Sequence, residues 1–146
     1  MLPSRSGSRY CARMSRRYAI LDDNQRRLEM RVSELRQRLP ALLRPRACAA
    51  MVIGSVAEGQ ARDASDIDVL IVLAAGVPSR RDYVWWDACV APHLTGEEMG
   101  AFPVQPVIVG RAALATSEPN LRAALRRGLA IWDPEGLFGD QSDART

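Results

Sequence analysis

Apolar positions along this chain fall into two kinds of run, one spaced for a helix and one dense enough for buried strands. From Ser15 to Leu39, and on to Leu42, leucines recur every seven residues at Leu21, Leu28, Leu35 and Leu42, with Val32 and Leu39 between them and arginine and glutamate on the other faces. That spacing predicts a helix over about 15–39. The pattern is short for a coiled coil and Pro40 cuts it, so a helix laid on a sheet is expected rather than a dimer zipper, with Pro40 and Pro45 bracketing a connector. Ala47–Ile53 reads as a strand that ends at Gly54. Ile67–Leu73 reads as a second, and its unbroken Val69-Leu70-Ile71-Val72-Leu73 implies burial on both faces.

Downstream, Ala74–Ser79 is a turn and Arg80 to about Pro92 a helix, with Trp85 and Cys89 on one stripe and Trp86 and Val90 beside it. The tryptophans suit core packing better than stacking on a base. Gly96–Gly100 is a loop. Val104–Val109 reads as a third strand, and Pro103 before it and Pro106 inside it argue for an edge position or a bulge. Ser117 is expected to cap a helix from Glu118 to Arg126 that Gly128 ends, and Leu129–Trp132 to add a short last strand. This order predicts an α/β fold, a small mixed sheet covered by helices, over residues 20–135. A basic flexible segment, 1–19, is expected before it and a flexible tail, 136–146, after it.

Length and composition narrow the chemistry. At 146 residues there is room for one domain with its own core and little more. All 20 basic residues are arginine, which excludes a P-loop lysine and a Schiff-base lysine. Cys11, Cys48 and Cys89 are widely and irregularly spaced and His93 is the one histidine, so neither a zinc site nor a disulfide framework is expected, and a reduced, cytoplasmic setting is. No apolar run approaches the roughly 18 residues of a membrane span. The leader MLPSRSGSRYCARMSRRY is rich in arginine and serine without an acid, yet lacks the apolar face of a transit peptide.

Candidate chemistry gathers between Met51 and Leu73. Asp66 and Asp68 stand at i and i+2 where the second strand opens, so their carboxylates project to one side. Like charges held close repel, and a bound cation is the usual way to keep both ionised, most simply an oxygen-loving Mg²⁺. The Gly54-Ser55 turn reaches the same end of the sheet with backbone N–H groups and a hydroxyl suited to phosphate oxygens. Carboxylates with a metal, facing amides that hold phosphate, point to phosphoryl or nucleotidyl transfer. Ser65 is a loop hydrogen-bonding residue rather than a nucleophile, because no histidine lies near it in sequence.

The string G-S-V-A-E-G-Q-A-R-D-A-S-D-I-D-V resembles the signature of the DNA polymerase β-type nucleotidyltransferase superfamily, and within it the minimal, MNT-type domains of bacterial toxin–antitoxin pairs. Gly54, Ser55, Ala57, Gly59, Arg62, Ser65, Asp66, Ile67 and Asp68 all fall at that signature's spacing. The resemblance implies that Asp66 and Asp68 bind Mg²⁺, that Gly54, Ser55 and Ser65 contact the nucleotide, and that a nucleoside triphosphate, in the first instance ATP, donates a nucleotidyl group to a hydroxyl of a small molecule or protein.

Two departures stand out. Relatives often carry basic residues where this chain has Val56 and Glu58. The third carboxylate of the family, which helps hold a second metal and activates the attacking hydroxyl, is expected on the next strand, where this chain has Gln105; Met99–Ser117 contains no acid. A two-ion site is therefore in doubt. The leading expectation is a metal-dependent nucleotidyltransferase. The alternative is a catalytically impaired relative acting as a binding module or antitoxin-like partner of another protein. A nucleic-acid-binding domain using Arg16, Arg17, Arg26, Arg27, Arg126 and Arg127 ranks below both, since the net charge is only +3.

Overall fold

A computed structural model describes residues 8–59, 66–94 and 102–139, with the backbone path alone for 8–22 and 24. Helix α1 spans Ser8–Leu43, strand β1 Ala47–Ile53, β2 Ile67–Leu73, helix α2 Arg80–Trp85, β3 Val104–Val109, helix α3 Pro119–Arg127 and β4 Leu129–Trp132. The four strands form one sheet in the order β3-β2-β1-β4. β1 runs antiparallel to both β2 and β4, and β2 runs parallel to β3. This is the mixed α/β sheet the sequence predicts.

The sheet is buried on both sides. One face, carrying Ala50, Val52, Val69 and Ile71, packs against the α1 stripe Leu28, Val32, Leu35, Leu39 and Leu43 and against Trp86 and Val90. The other face, with Ala49, Met51, Leu70 and Val72, is covered by Leu125 of α3 and by Phe138. Val69–Leu73 is at most 2% exposed throughout, so the reading of a strand buried on both faces holds. Among the described residues, edge strand β3 pairs only with β2. Pro106 offers no N–H there and the Ile108 N–H donates to the Tyr83 hydroxyl at 3.3 Å, which removes two donors from the edge.

Four boundaries differ from the sequence reading, the first being the start of α1, at Ser8 rather than about Ser15. Pro40 does not end α1, which continues to Leu43. One i→i−4 hydrogen bond is lost there, but Leu39 and Leu43 on either side are fully buried and the Pro40 carbonyl still accepts from the Arg44 amide at 3.2 Å. The contact stripe accordingly steps from Leu39 to Leu43 rather than to the heptad position Leu42, as a straight helix of 3.6 residues per turn requires. The helix expected over 80–92 changes pitch, to a π turn over Trp86–Val90 and a 3₁₀ turn over Ala91–His93. This carries Trp86 and Val90 into the core and leaves Cys89 exposed.

The last correction concerns α3. It is capped by Glu118, whose carboxylate accepts from the amides of Asn120 and Leu121, and not by Ser117. Among the described residues no helix is long and apolar enough to cross a membrane. The loop expected at Gly96–Gly100 lies outside the described residues.

Candidate active site

β1 ends at Ile53 and the chain turns at once: the Glu58 amide donates to the Gly54 carbonyl at 3.1 Å and the Gly59 amide to the Val56 carbonyl at 3.2 Å. Gly54 adopts a φ of 77°, which L side chains rarely tolerate. A Cβ on Gly54 would lie 3.0 Å from Asp68 Oδ2, so the turn rests directly against that carboxylate. Ser55, next in the turn, is exposed.

Asp68 is the second residue of β2, level with Ile53 on one side and Gln105 on the other. It is half-buried, while Asp66, just ahead of the strand, is exposed. Burial first, and the charge of Asp66 second, push the Asp68 carboxyl above the usual carboxylate range. Paired residues of neighbouring strands point to the same face, so Gln105 stands beside Asp68, where the sequence reading expects a third acid. Being a neutral amide, it neither repels Asp68 nor accepts a proton from it.

Asp87 is exposed on the π turn, and among the described residues no group of three or more His, Cys, Asp or Glu side chains could hold a metal ion. Ser65 lies outside the described residues. Two carboxylates still suit magnesium, which keeps several of its waters and takes one or two protein carboxylates beside substrate phosphates. The closeness of the side-chain-free Gly54 turn to Asp68 fits that use, because a phosphate on the turn and an ion on the carboxylate would then be neighbours.

Two features were not legible in the sequence. Glu58, which stands where relatives often carry a basic residue, is ion-paired with Arg127 at the end of α3, Oε1 to Nη1, at 3.1 Å. Buried Arg31 of α1 donates to the carbonyls of Phe102 and Leu94, at 3.2 and 3.0 Å, and so fixes the approach to β3. From there the Pro103 carbonyl accepts the Ile67 amide at 2.7 Å, which holds the chain between Asp66 and Asp68. Burial pulls the Arg31 guanidinium below its ordinary pKa, with Glu34 opposing the shift. No spacing rule links positions so far apart.

Residues 32–96 match the nucleotidyltransferase domain. The match spans β1, the Gly54 turn, both aspartates and α2, so the resemblance read from the Gly54–Asp68 stretch holds. A crystal structure described as a toxin-antitoxin with AMP-PNP shares the fold, with a TM-score of 0.50 and 18% identity over 75% of this chain and 82% of that one. A mutant of the toxin-antitoxin MntA-HpeT gives a TM-score of 0.49 and 17% identity over 75% of this chain and 81% of that one. A comparison with curated proteins finds no match.

Proposed function

We propose that this chain binds a magnesium-bound nucleoside triphosphate, ATP in the first instance, and transfers its nucleotidyl group to a hydroxyl of a small molecule or a protein. The observation that carries the reading is the contact between the left-handed Gly54 turn and the Asp68 carboxylate, with Asp66 beside it. A turn free of side chain beside an acid pair leaves room for phosphate oxygens on its amides and a cation on the carboxylates at the same time. Asp66 and Asp68 would hold the ion, which when bound offsets phosphate charge and polarises the phosphoryl group. The Gly54 and Ser55 amides and the Ser55 hydroxyl orient the phosphate chain, and Ser65 adds a further hydrogen bond from the loop. The toxin-antitoxin structure with AMP-PNP suggests a protein partner as well.

In the transfer itself the acceptor oxygen forms a bond to the α-phosphorus while the bond from that phosphorus to the bridging oxygen breaks. Pyrophosphate leaves, and the hydroxyl proton must pass to a base. Gln105 cannot take it, so the proton goes to solvent and the step is slow. The same residue favours a second reading, in which the chain binds Mg-ATP as a module of a partner complex and transfers little. Incubating the protein with labelled ATP, magnesium and bacterial cell extract separates the two. Steady labelling that is lost in Asp66→Ala and Asp68→Ala is expected of the enzyme; binding without labelling marks the module; no binding at all removes both.

A further inference from the structure

The β1–β4 pairing runs Met51 to Ala130 and Val52 to Leu129. Beyond that last pair β1 runs two residues on to Gly54, and Leu129 follows Arg127 of α3 by two, so the turn and the end of α3 lie at the same end of the sheet, where the Glu58–Arg127 pair joins them at 3.1 Å. α3 is pressed onto β1 just there, since a Cβ on Gly128 would run into the Met51 side chain. The backbone that presents Arg127 is thus fixed to the strand that presents the Gly54 turn. Asp68 flanks β1 on its β2 side and Arg127 on its β4 side, with the turn between them.

Charge gives the placement a meaning. Asp66, Asp68 and Glu58 put three acids around this turn, and a metal-bound triphosphate would still bring excess negative charge. An arginine beside the turn would offset that charge, and the chain has no lysine to do so. Resting on the reading of this end of the sheet as a triphosphate site, we propose that Arg127 is a phosphate-binding residue of that site, held beside the turn by Glu58 and released to the phosphates when nucleotide enters. The Glu58–Arg127 pair is exposed, 65% at the arginine, so little holds it closed. A guanidinium can meet two phosphate oxygens at once, a stronger contact than an exposed carboxylate offers.

The test is titration of the full chain with Mg-ATP, with magnesium tripolyphosphate and with adenosine, followed by calorimetry, for wild type, Arg127→Gln, Arg127→Lys, Glu58→Gln and Asp68→Ala. Arg127→Gln is expected to weaken both triphosphates about tenfold or more, as loss of a charge-assisted contact does, and Arg127→Lys to recover part of it. Glu58→Gln, which frees the arginine and removes an acid, should tighten both by roughly threefold. Adenosine should respond to none of these. Wild-type affinity in Arg127→Gln, with Asp68→Ala defective, overturns the role of Arg127 and leaves the site reading intact. Weaker binding in Glu58→Gln also overturns it, by making the pair a structural support of the turn. If wild type binds neither triphosphate, the site reading fails and this proposal with it.

Discussion

Asp68 and Asp82 lie toward opposite ends of β2, and the fold treats them in opposite ways. Asp82 is 7% exposed and accepts from the Ser79 amide at 2.8 Å and from Arg46 at 3.0 Å. The Ser79 amide foremost, and then Arg46, hold its carboxyl below the usual range despite burial. Around it lies a cleft of about 550 Å³ lined by Arg44, Arg46, Asp82 and Trp85. Its charges are answered from within: Arg46 also stacks on Trp85, and Arg44 on Trp132, at 5.3 and 5.2 Å from the ring centroids. At the other end, among the described residues, Asp68 has Asp66 and the neutral Gln105 as neighbours, and its carboxyl is pushed up. The end that holds this cleft is the satisfied one. Chemistry is better located by charges that the fold leaves unanswered than by the size of a cavity.

The sharpest way to break this comparison is to remove each acid and compare signs. Asp82→Ala strips the acceptor from the Ser79 amide and from Arg46 and deletes the α2 capping box, so at pH 7 the protein should lose about 2 kcal/mol of unfolding free energy in urea. The sign with pH follows from the lowered carboxyl. Its stabilisation is present above the unfolded carboxylate pKa of about 4 and fades as pH falls through the lower folded value. The penalty of Asp82→Ala should therefore shrink in acid. A neutral Asp82→Ala at pH 7 would mean that the two ends differ less than their geometry suggests.

Next in size is a gain at the unanswered end. Gln105 is level with Asp68 on the parallel neighbour strand, so Gln105→Asp would place a proton acceptor and a further ligand where the site has an amide. Nucleotidyl transfer from labelled ATP should rise at least about tenfold, with ATP affinity little changed. Three nearby acids repel more than two, so the same variant should melt lower without metal and recover with magnesium. Normal Mg-ATP binding with no gain in transfer would show that the chain lacks more than a base.

How much of this was legible follows the physics of each segment. All four strands lie where the sequence reading put them, because aliphatic runs such as Val69–Leu73 sit between glycine and proline signals. Asp66, Asp68 and the Gly54 turn come together because they are local to one strand pair. The end of α1 was misjudged because a proline rule counts one lost hydrogen bond, whereas the burial of Leu39 and Leu43 is a tertiary gain. The α3 cap was misplaced by one residue, since a glutamate can reach both free amides from Glu118. Arg127 stayed hidden for a deeper reason: its pairing with Glu58, 69 positions away, exists only once β4 has taken its register on β1.

The smallest effect is also the most direct probe of an unanswered charge. Asp68→Asn keeps the shape of the side chain while removing its charge, and with it both the cost of burial and the repulsion from Asp66. Because the folded carboxyl lies above its unfolded value, the native state holds that proton more tightly. The stability it contributes is full below about pH 4 and is lost as pH rises through the folded pKa. At neutral pH without metal the variant should thus be more stable than wild type, by less than about 1 kcal/mol. The difference should close in acid, where wild type is protonated as well. Magnesium at millimolar levels should raise the melting temperature of wild type and not of Asp68→Asn, so that the order of the two reverses when metal is added. An advantage for Asp68→Asn that persists at pH 3 would assign its gain to packing rather than to charge. A melting temperature unmoved by magnesium or by Mg-ATP in the wild type would remove the reason for placing an ion between these two aspartates.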